Sequence, residues 1–183
     1  MKPRRVWVKM SDPGQGKVLE VRKKLSANDL GWTGSHQVGI CIPKSVVRLG
    51  FFPELDTESF NPNCLIAARL EPSGQSAVLK YIYYNGRLTG RTTRDEYRLS
   101  RTTKLFRILT ARPGDLLRLR WLDSGEMEIS ALREGDEDDD GGDGSASRSG
   151  DDNSGPLGSG SVFSTSIGSK GEWTVTRVVV SKL

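Results

Sequence analysis

The chain has 183 residues, of which 35% are hydrophobic, and it carries 27 basic against 23 acidic side chains, a formal net charge of +4. This length suits one domain with a sizeable core, and no repeat or second hydrophobic pattern predicts two. The single histidine excludes an acid–base pair built on two histidines, and with only two cysteines it falls short of a closed zinc set, so we expect no metal and no cofactor.

Short alternating apolar runs separated by turn residues predict a mainly β protein, built as a barrel or a sandwich. In chain order, the predicted strands cover residues 5–10, 17–24, 37–42, 63–71, 76–84, 116–122, 126–133 and 172–180. Two short helical segments are predicted at residues 45–49, which follow a proline, and at residues 103–110, which precede a Pro-Gly turn.

The connection at residues 26–36 is a polar loop between two predicted strands. Gly31 and Gly34 permit positive φ or a close backbone approach, and most of the other side chains can form hydrogen bonds. Such a loop suits a reader of base edges, although Asn, Asp, Ser and Gly are also the ordinary residues of turns. Its eleven residues exceed the usual hairpin loop, a length typical of functional or disordered loops.

A second segment, residues 85–107, is strongly basic, with a net charge of +5. Its first five arginines are spaced by four, three, four and three residues: Arg87, Arg91, Arg94, Arg98 and Arg101. That spacing fits one face of a solvated helix, but Gly86, Gly90 and the preceding strand pattern favour an extended arm or a bent hairpin. Arginine reads guanine bidentately and also binds phosphate, whereas Asp95 and Glu96 could accept from cytosine or hold neighbouring arginines.

The runs KKLSANDLGWTGSHQVGICIP and IYYNGRLTGRTTRDEYRLSR resemble, in motif order and spacing, the N-terminal effector DNA-binding domain of EcoRII-type restriction endonucleases. The resemblance covers roughly residues 17–130. It implies a seven-stranded open β-pseudobarrel with one or two short helices, similar to the plant B-three transcription-factor domain. The two runs would form arms that grip the major groove. The second run is the looser match, with an apparent extra residue near Thr93 and with Tyr97 in place of the family's lysine.

The resemblance implies double-stranded DNA as the partner, bound at a short specific site such as CCWGG. On the first arm, the residues expected to contact DNA are Lys23, Lys24, Ser26, Asn28, Asp29, Trp32, Thr33, Ser35, His36 and Gln37. On the second arm, they are Asn85, Arg87, Arg91, Thr92, Arg94, Asp95, Glu96, Tyr97, Arg98 and Arg101.

We therefore expect a non-enzymatic recognition domain of a restriction-modification system, with a nuclease domain or subunit as a possible partner. No pair of acids followed by an acid-x-lysine indicates a magnesium nuclease site, so no catalytic residue is predicted. Two alternatives stay open: a stand-alone transcriptional regulator with the same fold, and a small metal-dependent nuclease. The chain shows no signal peptide and no apolar stretch that could span a bilayer, so we expect a cytoplasmic protein without a membrane partner.

The organisation predicted along the chain is a DNA-binding pseudobarrel at residues 1–133, an acidic Gly/Ser-rich flexible insertion at 134–160, and a C-terminal strand at 161–183 that completes the barrel. Residues 134–152 contain nine acids and one arginine, a net charge of −8, so the other 164 residues carry +12. That basic body is expected of a polyanion binder. The acidic insertion either is a solvent-exposed loop that aids solubility, or it mimics DNA and competes with DNA for the basic arms.

If the acidic insertion competes with DNA, removing residues 136–155 should tighten binding to non-cognate duplex, because the basic arms would lose an internal competitor. Fluorescence anisotropy of the full chain and the deletion variant at low salt measures this. Unchanged affinity would leave the insertion as a solvating loop.

Overall fold

The structure is a computed structural model that describes residues 17–34, 38–122, 124–133, 160–167 and 173–180. The strand predicted at residues 5–10 and nearly all of the acidic insertion lie outside the described residues. Three first-arm residues predicted to contact DNA lie outside them too: Ser35, His36 and Gln37.

Nine strands and two short helices make up the described part of the chain. In chain order they are β1 (Lys17–Lys24), β2 (Ile40–Ile42), α1 (Lys44–Val47), β3 (Asn63–Leu70), β4 (Gln75–Tyr84), β5 (Glu96–Ser100), α2 (Thr103–Ile108), β6 (Leu116–Trp121), β7 (Met127–Leu132), β8 (Gly160–Ile167) and β9 (Trp173–Val180).

All of these strands belong to one sheet, with the order β2-β5-β4-β3-β7-β6-β1-β9-β8. Neighbouring strands are antiparallel except for β3 and β7, which are parallel. The end strands β2 and β8 do not pair with each other, so the sheet stays open. The predicted class, a mainly β open pseudobarrel with two short helices, is confirmed, with nine described strands where the resemblance implied seven.

Two of the strands were not predicted, and each has a weak pattern of its own. In β5, EYRLS, the inward positions Tyr97 and Leu99 alternate with charged residues, and the arginine run around them obscures this alternation. It forms a strand because β4 and β2 pair with it on both sides. β8, GSVFSTSI, is rich in small polar residues and pairs in antiparallel fashion with β9, which in turn pairs with β1.

The core forms because alternate strand residues face inward and the sheet curls over them. In β3, for example, Cys64, Ile66, Ala68 and Leu70 are buried while the residues between them are exposed or half-buried. One buried cluster contains residues of β2 at one end of the strand order and of β9 near the other end. Apolar contact across the curl therefore stabilises the whole sheet.

Leu99, in β5, is fully buried, whereas Leu65, in β3, is 50% exposed. We expect Leu99→Ala to lower the free energy of unfolding by about 2–5 kcal/mol, since it removes buried methyl groups and leaves a cavity. The matched change Leu65→Ala should cost less than about 1 kcal/mol. Urea denaturation of both variants measures this, and equal losses would show that β5 does not belong to the core.

Candidate nucleic-acid interface

Two long connections emerge at the β2-β5-β4 end of the sheet. The first arm, residues 25–39, joins β1 to β2, and the second arm, residues 85–95, joins β4 to β5. In the antiparallel β2–β5 pair, Ile40 lies opposite Leu99 and Ile42 lies opposite Tyr97. The first arm therefore meets this pair at one end, and the second arm meets it at the other end.

The outward surface between the arms, which we call the floor, consists of Cys41, Glu96 and Arg98. Cys41 and Arg98 are direct cross-strand neighbours. The Arg98 guanidinium donates to Glu96 Oε1 at 3.3 Å and to the Gly39 carbonyl at 3.2 Å, and the residue is only 8% exposed. The Cys41 thiol lies 4.0 Å from Glu96 Oε2 and is accessible to solvent. Arg98 thus connects the floor to the end of the first arm.

A cluster of polar side chains shapes the start of the first arm. The Asp29 carboxylate accepts from Ser26 N at 2.8 Å and from Ser26 Oγ at 2.7 Å, and Ser26 Oγ accepts from Asp29 N at 3.2 Å. This reciprocal arrangement resembles a capping box, and the spacing Ser-x-x-Asp is its sequence signal. Lys23 Nζ pairs with Asp29 at 3.2 Å, and both residues are buried. Lys23 and Asp29 were predicted to contact DNA, but in the structure they are buried beneath the loop and stabilise it.

The rest of the described first arm presents polar and aromatic groups to solvent. Lys24, Asn28, Trp32 and Thr33 are exposed, and the Trp32 side chain is 65% exposed. Thr33 Oγ1 donates to Asn28 Oδ1 at 3.1 Å, which orders the loop tip. An exposed tryptophan on an ordered loop is a common feature of binding surfaces.

The second arm is held at its first residue by a buried amide. Asn85 is completely buried; its Oδ1 accepts from Asn61 N at 2.8 Å, and its Nδ2 donates to the carbonyls of Thr57 and Ser59 at 3.0 and 2.6 Å. Asn85 was predicted to contact DNA, but the structure places it beneath the arm. There it attaches the arm to residues 57–61, since buried amides need such partners.

The basic residues of the second arm lie beyond this attachment. Arg87, Arg91 and Thr92 are exposed, and Arg94 is half-buried. The Arg91 guanidinium lies 4.5 Å from the centre of the Phe60 ring, and the Arg94 guanidinium lies 4.9 Å from the centre of the Tyr84 ring. Stacking on a ring orients a guanidinium while its N–H edge stays available to a ligand.

Of three further residues predicted on the second arm, Asp95 is the last residue of the arm, whereas Tyr97 and Arg101 lie beyond it. The Asp95 carboxylate binds Lys44 Nζ through both oxygens, at 2.7 and 2.8 Å. The Tyr97 ring faces inward and stacks on Tyr83, with centroids 4.1 Å apart. Arg101 is exposed with a φ of 65°, just past the end of β5 that lies beside the first arm. The structure therefore does not bring Arg101 together with the arginines of the second arm.

Sequence reasoning missed the residues that support the arms: Lys44, Phe60, Tyr83 and Tyr84. Each contacts its arm partner across the fold or from the adjacent strand, so no local motif marks it. The one available signal is the run of aromatic residues at the end of β4, which precedes the second arm directly. Lys44 and Phe60 carry no signal at all, because their partners are 51 and 31 positions away in sequence.

Hydrogen bonds and burial shift the pKa values of four described side chains in and near the site. A hydrogen bond from Lys44, and then one from Tyr83, lowers the pKa of the Asp95 carboxyl. Burial and the hydrogen bond to Asp95 raise the pKa of Tyr83 to about 12. Cys41 is exposed, but partial desolvation by its neighbours, followed by the charge of Glu96, raises the pKa of its thiol. Burial raises the pKa of Cys64 to about 11, so this thiol is a poor nucleophile near pH 7.

Across the described residues, no group of three or more His, Cys, Asp or Glu side chains could hold a metal ion. The two helices found in that same part of the chain are both too short to cross a membrane.

The support from Asn85 predicts a stability effect. Asn85→Ala should lower the free energy of unfolding by about 1–3 kcal/mol, because it removes a fully buried amide whose three hydrogen bonds hold part-buried backbone groups of residues 57–61. Asn63→Ala, which removes an exposed amide with a single bond to Asn61 O, should cost less than about 0.5 kcal/mol. Urea denaturation compares the two variants, and equal effects would contradict this role of Asn85.

The chain is similar in sequence to part of a known restriction enzyme. Type II restriction enzyme EcoRII of Escherichia coli is 41% identical over 91 residues, which make up 48% of this chain and 22% of that enzyme. The matched part is therefore about a fifth of the relative's length.

Among solved structures, the Arabidopsis FUS3–DNA complex is 18% identical with a TM-score of 0.48, covering 61% of this chain and 94% of that chain. The B3 domain of the UbaLAI restriction endonuclease with cognate DNA is also 18% identical, with a TM-score of 0.42, covering 67% of this chain and 74% of that one. Residues 15–139, more than half of the chain, match the family model of the N-terminal domain of restriction endonuclease EcoRII. The chain belongs to this EcoRII N-terminal domain family.

Proposed function

We propose that this chain binds double-stranded DNA at a short specific site, with its two arms entering the major groove on either side of the β2–β5 pair. The placement of the arms at opposite ends of that pair carries the proposal. Along the strands, five residue steps separate Gly39, the last residue of the first arm, from Asp95, the last residue of the second arm, roughly 17 Å at strand spacing. The major groove of B-DNA is about 12 Å wide.

The availability of the arm arginines supports this role. Elsewhere on the sheet, Glu128 forms ion pairs with Arg69 at 3.1 Å and with Arg120 at 2.7 Å. Among the described residues, by contrast, Arg87, Arg91 and Arg94 form no ion pair with a carboxylate. Their guanidinium groups can therefore bind phosphates and guanine edges without first breaking an internal pair.

The chemistry of the two arms differs in kind. The described first arm offers Asn28, Trp32 and Thr33, groups suited to hydrogen bonds with base edges and to apolar contact with a thymine methyl. The second arm offers mainly arginine, which serves both phosphates and guanine. Such a division suits a reader of a short site that contains G·C and A·T pairs, and a CCWGG-like sequence is the candidate that family membership favours.

Family membership also favours a biological setting. The matched relative from Escherichia coli is a restriction enzyme. We infer that this chain is a non-catalytic recognition domain of a cytoplasmic restriction-modification system, acting with a nuclease domain or subunit. Purified chain incubated with plasmid and magnesium should leave the plasmid intact, whereas cleavage would make the chain itself a nuclease.

Selection of binding sites from a randomised duplex pool at about 100 mM salt tests the proposed function directly, because counterion release weakens non-specific complexes there. Enrichment of one short motif is the expected result, and a CCWGG-like motif would support the restriction setting. If no motif is enriched, the chain binds DNA through charge alone and without sequence preference.

Arg94→Ala should weaken binding to the selected site by about 1–3 kcal/mol and relax base preference at one position. Arg107, exposed on α2, provides the comparison: Arg107→Ala should change the affinity for selected and random duplexes by the same factor. Titrations of both variants on both duplexes measure this. Equal losses for Arg94→Ala on the two duplexes would make Arg94 a phosphate contact.

The exposed Cys41 on the floor provides a direct test of the interface. Selected duplex should slow its alkylation by a maleimide, because bound DNA would cover the floor between the arms. Cys64, buried in β3, is the internal control and should stay unmodified with or without DNA. Mass spectrometry at mildly alkaline pH follows both thiols. If saturating DNA leaves the Cys41 rate unchanged, the DNA lies elsewhere on the protein.

A further inference from the structure

The last residue of the second arm is attached to a distant part of the chain. Lys44 Nζ contacts Asp95 Oδ1 at 2.7 Å and Oδ2 at 2.8 Å, so one ammonium group engages both carboxylate oxygens. The Tyr83 hydroxyl donates to Asp95 Oδ1 at 2.7 Å. We call Lys44, Tyr83 and Asp95 the arm latch.

The position of Lys44 connects the latch to the first arm. The first arm leads directly into β2, and Lys44 follows two residues after β2 ends at Ile42. A short stretch of ordered backbone therefore runs from Gly39, at the end of the first arm, to the residue that holds the end of the second arm. Through it, the latch relates the positions of the two arms to each other.

The latch is supported from below by stacked aromatic rings. The Tyr83 and Tyr97 rings are nearly parallel, at 10°, and Tyr97 also stacks on the buried Tyr81 ring at 5.9 Å. Lys44 Nζ lies 5.8 Å from the centre of the Tyr83 ring. Because Tyr83 is confined by these contacts, its hydroxyl holds the Asp95 carboxylate in one place.

We propose that Lys44, Tyr83 and Asp95 are positioning residues that set the second arm at the separation and angle from the first arm that sequence readout requires. This inference rests on the proposed function, and it assigns Asp95 a role in arm geometry in place of a base contact. Asn85 fixes the first residue of the second arm. The arm latch restrains the last residue of that arm, Asp95.

The expected consequence is a loss of selectivity with little loss of general affinity. Base contacts require a fixed arm, whereas phosphate contacts tolerate an arm that moves. An arm whose last residue is not held must be ordered when it binds its specific site. The entropy cost of this ordering opposes specific binding only. Disruption of the arm latch should therefore lower the ratio of the affinity for the selected duplex to the affinity for random duplex.

Lys44→Met and Asp95→Asn test the latch, since each keeps the side-chain length and removes one charge. Each should lower the selected-to-random affinity ratio by about tenfold, and the double variant should add little because the residues act as one unit. Lys104→Met, which removes an exposed lysine on α2, is the matched control and should keep the ratio. Wild-type ratios for Lys44→Met and Asp95→Asn would overturn the proposal.

The salt dependence of binding separates a positioning role from a direct contact. If Lys44 instead bound a phosphate, Lys44→Met would reduce the slope of log affinity against log salt by about 0.9 on every duplex. A positioning role leaves the slope on random duplex unchanged. The charge exchange Lys44→Asp with Asp95→Lys should recover part of the lost ratio, whereas a phosphate contact at Lys44 would make the exchange as weak as Lys44→Asp alone.

Hydrogen exchange of the free protein tests the latch independently of any DNA. In Lys44→Met and Asp95→Asn, amides of residues 86–95 should exchange faster than in the wild type, while those of β3 and β4 keep their protection. Unchanged exchange in the arm would overturn the latch itself. A wild-type protein without any sequence preference, but with faster exchange in the variants, would instead contradict the proposed function and keep the structural latch.

Discussion

The pairing of the three-residue strand β2 with β5 is the contact on which the candidate interface depends. It is short, but it determines where the ends of the two arms lie relative to each other, because each of the two strands is preceded by one of the arms. Burial stabilises the pair from below, since Ile40 and Ile42 face the same core cluster as Leu99. Arg98 adds a polar connection from β5 to the Gly39 carbonyl, beside the first residue of β2.

Polar residues stabilise this end of the sheet in two distinct ways. Some are buried beneath the arms with their hydrogen bonds satisfied, as Asn85 and Asp29 are. Others are exposed or half-buried and are oriented by an aromatic ring, as Arg91 and Arg94 are. Buried polar groups specify one geometry because an alternative would leave them unpaired. The described parts of the arms can thus be long and still be ordered.

The division between supporting and exposed residues could not be predicted from the sequence. Asp95 and Glu96 are adjacent, yet Asp95 binds Lys44 while Glu96 faces the floor, since side chains near a strand alternate between its faces. The composition of the first arm indicated hydrogen-bonding side chains, and that of the second arm indicated basic ones. Which acid, amide or lysine would be buried depended on partners such as Lys44 and Thr57, which are distant in sequence.

Local patterns in the sequence by themselves determined the β class, most of the described strands, both short helices and the position of the two arms. Periodicity, turn residues and charge are local properties, so they can be recognised in the sequence without knowledge of the fold. The tertiary structure alone decided that β5 is a strand, because two neighbouring strands pair with it. It also decided that the arms meet one strand pair from opposite ends, and that Lys44 pairs with Asp95. Those features depend on contacts between distant segments, which no local pattern encodes.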